Sequence, residues 1–181
     1  MVPEAPFEET EAGRVATGDG WFVLNAKDAR WYHAEGRPAL GNLEGETFFP
    51  QFGMHLFVLW PGQPMAMYHW EADQEDFLVV SGEGLLIIEG EERPLKAWDF
   101  VHCPPKASHV IVGAGTGPCV IVAVGARVLS VDNPDWGAYP VDEAALRHGA
   151  GVEKETTLPE EAYANVKPQR QPTRYRDGWL D

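Results

Sequence analysis

Tyr68-His69-Trp70-Glu71-Ala72-Asp73-Gln74-Glu75-Asp76-Phe77-Leu78-Val79-Val80-Ser81-Gly82 is the stretch on which the fold turns. It holds the end of one expected strand, residues 65–71, and the whole of the next, residues 76–80, which stops at a Ser-Gly turn. Side chains two apart on a strand share a face. His69 and Glu71 therefore point one way together with Met65 and Met67, and Tyr68 and Trp70 point the other way. Glu75, Phe77 and Val79 share a face on the next strand. A second stretch, Trp98-Asp99-Phe100-Val101-His102-Cys103-Pro104-Pro105-Lys106-Ala107-Ser108-His109, ends on another histidine, which shares a face with Ile111. If these faces look into one interior, His69, Glu75 and His109 meet, with Glu71 as a fourth donor. Two imidazoles and a carboxylate suit a divalent transition metal and leave positions open for water or substrate.

Outward from these stretches the chain reads as strand, turn, strand. Strands are expected over residues 21–24, 30–33, 53–60, 65–71, 76–80, 85–89, 94–98, 99–103, 109–112 and 119–124, and residues 34–46 read as loop. Short strands at even spacing with Gly and Pro punctuation predict an antiparallel sandwich or barrel. Residues 1–20 read as an arm, mobile or added to another subunit. Residues 21–127 read as the barrel, and residues 128–181 as an extension with short helices. Asp142 is an N-cap with Gly149 past the helix end, and Pro159 opens a second helix. Residues 167–181 read as disordered or wrapped around the barrel.

The 181 residues, 44% hydrophobic and 11% aromatic, suffice for one domain with a buried core. A net charge of −14 repels phosphate backbones and anionic lipid, so neither nucleic acid nor a membrane is expected as a partner. No apolar run approaches the ~20 residues of a membrane helix. The two cysteines, Cys103 and Cys119, are too few for an extracellular disulfide framework. The start of the chain lacks the basic and apolar regions of a signal peptide. A cytoplasmic protein with reduced thiols is the expectation.

The two stretches resemble the motifs of the cupin superfamily. The first motif places a glutamate three or four residues after a His-x-His pair, and a glycine after six more. Glu75 and Gly82 match its end. With three residues between, the histidine pair falls on His69 and Glu71; with four, it falls on Tyr68 and Trp70 and no imidazole remains. In the second motif Pro104 and His109 match, while Trp98 and Lys106 stand at two glycine positions and Gly113 at an asparagine. The resemblance covers roughly residues 47–125. It implies an all-β, antiparallel jelly-roll barrel, a metal held by His69, Glu75 and His109 with Glu71 as a candidate fourth ligand, and a homodimer built by exchanged edge strands.

Two carboxylates beside two histidines favour Mn, Fe or Zn over metals that seek soft ligands. His55 shares a face with Phe57 and Leu59 and is a candidate for the cavity wall, with Met67 and Phe77. His102 reads as structural, and Cys103 as a buried thiol with no activating base on its face. The catalytic residues are not legible. Two functions fit: a metal-dependent oxygenase, isomerase or lyase acting on a small organic substrate, or a non-catalytic module that binds a small molecule or metal.

Overall fold

Glycines at Gly62, Gly82 and Gly90, all in the left-handed region, turn the chain sharply and keep its strands short. The computed structural model describes residues 1–129 and 133–181. Its strands are β1 (Phe7–Thr10), β2 (Gly13–Ala16), β3 (Arg30–His33), β4 (Ala39–Asn42), β5 (Phe52–Leu59), β6 (Trp70–Glu71) and β7 (Glu75–Ser81). They continue as β8 (Glu83–Ile88), β9 (Glu91–Lys96), β10 (Phe100–Cys103), β11 (His109–Gly113) and β12 (Cys119–Ala126). The extension adds β13 (Gly137–Ala138), α1 (Glu143–Arg147), α2 (Pro159–Ala162) and β14 (Gln171–Thr173).

Every pairing between these strands is antiparallel. One sheet runs β10-β7-β12-β5-β4-β3-β14 and a second runs β11-β8-β9. Pro94 lies on β9 and Pro172 on β14, each at a sheet edge where a missing N–H costs no ladder bond. The inner faces of the two sheets meet in one apolar cluster: Phe77, Val79, Val101, Cys119 and Ile121 from the larger, Leu86, Leu95 and Ile111 from the smaller. Phe77 and Ile111 are 1% and 0% exposed, and each such side chain contributes about 1.5–3 kcal/mol by leaving water. This is the jelly-roll arrangement of an all-β protein.

Several local expectations need correction. Residues 65–71 do not form one continuous strand. Only β6 is regular, and the stretch before it reaches β11 through single bridges at Pro64 and His69. The chain must bend around the cavity there, which a straight ladder cannot do. Residues 21–24 form no strand beyond one bridge between Trp21 and Glu4. The loop expected over 34–46 contains β4, because Leu40 and Gly41 find partners on β5 that no local pattern announces. Residues 7–16 fold into the β1–β2 hairpin on their own chain.

The extension wraps the barrel. β14 pairs with β3, and Trp179 packs on Trp31 with ring centroids 5.1 Å apart. Helix α1 is capped as its sequence suggests: the Ala145 N–H donates to Asp142 Oδ1 at 2.8 Å, and Gly149 follows at φ 67°. Helix α2 has Pro159 in its first turn. Tyr68 is buried against Ile87, Val110, Ala144 and Ala145, on the outside of the smaller sheet. Among the described residues, no helix is long and apolar enough to cross a membrane.

Candidate metal centre

Backbone pairing sets the site. The His69 N–H donates to the His109 carbonyl at 3.2 Å, and the His109 N–H returns the bond at 2.8 Å. Residues so paired send their side chains to the same side, and the two rings lie 5.2 Å apart. Glu75 arrives from the other sheet, at the start of β7, paired with Cys103 on β10 and with Gly125 on β12. Among the described residues, His69, Glu75 and His109 bring one ligand atom each to within 4.8 Å of one another. His69 Nε2 and His109 Nε2 stand 3.6 and 3.3 Å from Glu75 Oε2.

The outer nitrogens are already committed. His69 Nδ1 is 2.7 Å from the Met67 carbonyl and His109 Nδ1 is 3.0 Å from the Ala107 carbonyl. A carbonyl only accepts, so both Nδ1 atoms donate, and a neutral ring then presents its Nε2 lone pair to the centre. His109 Nε2 and Glu75 Oε2 are both buried without a hydrogen-bond partner. Lone pairs facing each other at this range need a proton or a cation between them. The protonation behaviour agrees. Burial works against a charged His109, but the Cys103 thiol and the Glu75 carboxylate overcome it and hold the imidazole at about 9. Burial likewise opposes charge on His69, and Glu71 and Glu75 together raise it. Glu75 stays below the usual carboxylate range despite its burial, because His109 and His69 face it.

The centre opens into a cavity of about 390 Å³. Small residues on neighbouring strands make the room: Gly53, Ala123, Gly125 and Ala126. Phe57, Met65, Phe77 and Trp136 supply the apolar wall, and His55, Glu71 and Arg127 the remaining polar groups. Glu71 Oε1 is 3.6 Å from His69 Nε2 but lies outside the three-atom group. Burial pushes His55 down toward the neutral imidazole, and its Nδ1 is buried without a partner. Arg127 is clamped by Glu44 at 2.9 Å and by the Phe49 carbonyl at 3.0 Å.

Met67 is not in this cavity. It packs with Tyr139, Val152 and Ala162, because the bend before β6 turns its side chain toward the extension and breaks the two-residue alternation with His69. The reading of Cys103 also changes: its thiol lies against His109, a titrating group that strand-by-strand reading could not bring to it. His102 is at the surface, 2.7 Å from Asp76. Sequence reasoning missed Arg127 and Trp136, as well as Tyr139, whose ring lies 5.9 Å from that of His69. Trp136 and Tyr139 come from a segment with no strand periodicity, and β13 places them by pairing with β6.

Residues 55–125 match the family described as Cupin domain. Over these residues, strands β5 to β12, the chain carries a cupin domain. The cupin barrel here is similar to a predicted oxalate decarboxylase from Thermotoga maritima, at 20% identity over 58% of this chain and 98% of that one, with a TM-score of 0.53. It is similar also to a polyketide cyclase from Streptomyces resistomycificus, at 13% identity over 59% and 80% of the two chains, with a TM-score of 0.52. At these identities the likeness is one of cupin fold. A putative sugar phosphate isomerase from Acidithiobacillus ferrooxidans is 34% identical over 43% of this chain, with a TM-score of 0.42, and the match spans about half of that protein (51%). No curated protein matches the sequence.

The cupin motif glycine at Gly82 has a physical reason in this chain. Its φ is 78°, and a Cβ there would run into the Pro118 carbonyl oxygen. Trp98 and Lys106, at the motif's other glycine positions, keep the left-handed backbone without being glycine, at φ 74° and 72°.

Proposed function

We propose that this cupin is a metal-dependent enzyme of the isomerase, lyase or oxygenase kind, acting on a small organic molecule as a homodimer. His69, Glu75 and His109 would hold a divalent Mn, Fe or Zn ion, with Glu71 as a fourth donor. The observation that carries the proposal is the convergence of His69 Nε2, His109 Nε2 and Glu75 Oε2, two of them buried and unpartnered. A metal bound there supplies Lewis-acid polarisation of a substrate oxygen.

The chain's own residues do the rest. Phe57, Met65, Phe77 and Trp136 exclude water from the cavity and fit the carbon skeleton of a small substrate. His55, kept neutral by burial, accepts a proton from a substrate carbon or hydroxyl within the cavity. Arg127, fixed by Glu44, closes the rim and sets the orientation of a polar substrate group.

Elemental analysis of the purified full chain tests the reading. One transition-metal ion per chain is expected, and His109→Ala should lose it. Wild-type protein without stoichiometric metal, or a variant that holds as much as the wild type, would overturn the proposal.

A further inference from the structure

A second cavity, of about 220 Å³, lies on the far side of the segment that carries His69. Its wall includes Arg37, from the turn before β4, and Tyr163, Asn165 and Lys167, from the extension. Among the described residues, no acidic side chain lines it. Arg170 stands beside it, since its Nε donates to the Pro38 carbonyl at 2.9 Å and Pro38 is part of the wall. Arg37 in turn reaches the Pro168 carbonyl at 3.4 Å. Among the described residues, none of Arg37, Lys167 and Arg170 has a carboxylate at ion-pair distance. Arg170 Nη2 is buried with no partner.

This is an unusual way to use cations in a chain of net charge −14. Carboxylates are in excess, yet three basic side chains gather where none comes near. Arg37 and Arg170 are partly buried, and charge brought out of water without a counter-charge is costly. Burial, then the neighbouring Arg37, pull Arg170 down to about 10, and burial lowers Arg37. Tyr163 completes the donor set. Its hydroxyl oxygen accepts the Met67 N–H at 3.0 Å, so its own proton is free to be given, and burial keeps that proton in place.

We infer that this cavity binds a small oxyanion, the phosphate or carboxylate group of a small molecule, held by Arg37, Lys167 and Tyr163 with Arg170 behind them. Guanidinium, ammonium and phenol groups around one cavity with no carboxylate among them are the complement of such a group. The volume holds about seven waters at ~30 Å³ each, enough for phosphate or a short carboxylic acid. The site does not rest on the metal reading. Met67, expected in the metal cavity, lines this one instead, and the Tyr139 ring lies 5.9 Å from both His69 and Tyr163, between the two sites.

Calorimetric titration of the full chain with inorganic phosphate, and separately with malonate, tests the inference. Saturable one-to-one binding of at least one anion is expected, weakened tenfold or more by Arg37→Gln and by Lys167→Gln, and retained in His109→Ala. Binding of phosphate alone assigns a phosphate ligand, and binding of malonate alone a carboxylate. If Arg37→Gln does not fold, the exposed Lys167 carries the test through its own variant. No saturable heat from either anion up to roughly 10 mM, equal affinity in the folded variants, or loss in His109→Ala would overturn it.

Discussion

His69 and His109 each spend Nδ1 on a backbone carbonyl two residues back, so one geometric device orients both Nε2 lone pairs. A proton and a metal ion compete for those lone pairs. With His109 held at about 9, the metal-free site carries its proton at neutral pH, and binding must displace it. Metal affinity should therefore rise with pH, about tenfold per unit per displaced proton, and level off above about 9; equilibrium competition with a chelator of known pH dependence reads this. A flat affinity between pH 6 and 9 would contradict it. Lys106 offers a second test. Its left-handed backbone costs about 1–2 kcal/mol for a residue with a Cβ, and glycine gives back part of that in chain entropy. Lys106→Gly should stabilise the protein by about 0.5–1 kcal/mol, seen as a higher denaturant midpoint at unchanged slope. The same residue's N–H donates to the Glu71 carbonyl at 2.8 Å, so this turn also steadies the site.

At the scale of elements, what matters is which strand lies beside which. β7 sits between β10 and β12, and this carries Glu75 to the wall where β11 and the bend before β6 present the histidines. Gly53, Ala123 and Gly125 on β5 and β12 leave the space in front of Glu75 and Phe77 open. β14 closes the opposite end of the large sheet and brings Trp179 onto Trp31, which is 0% exposed. Trp179→Ala removes a nearly buried indole from this stack and should cost about 3–5 kcal/mol, measured by urea unfolding. A loss below 1 kcal/mol would mean that the extension is only loosely attached.

For the whole molecule, β10 is the outer strand of the large sheet, and Phe100 on it and Trp98 just before it are 65% and 74% exposed. An open strand edge with bare aromatic rings is a template for association. The proposed homodimer is expected to use this edge: sedimentation at micromolar concentration should give twice the chain mass, and Phe100→Glu should give monomers. A wild-type monomer would remove the dimer from the reading.

The strand-turn rhythm of the middle of the chain was legible because alternation and Gly-Pro punctuation are local properties. Gly82 shows this: its left-handed turn is written in its own residue type. His69, Glu75 and His109 could be singled out because their spacing in two short stretches matches a family's motifs. The caps of α1 were equally plain, since Asp142 and Gly149 act within one turn of the helix they bound. What only the tertiary structure decided is whatever depends on segments far apart in the chain. The placement of Met67 away from His69, the arrival of Trp136 and Arg127 at the cavity, and the gathering of Arg37 with Lys167 all follow from pairings between distant strands. Such pairings are chosen by the fit of whole faces and by the closure of long loops, and no short window of residues contains either.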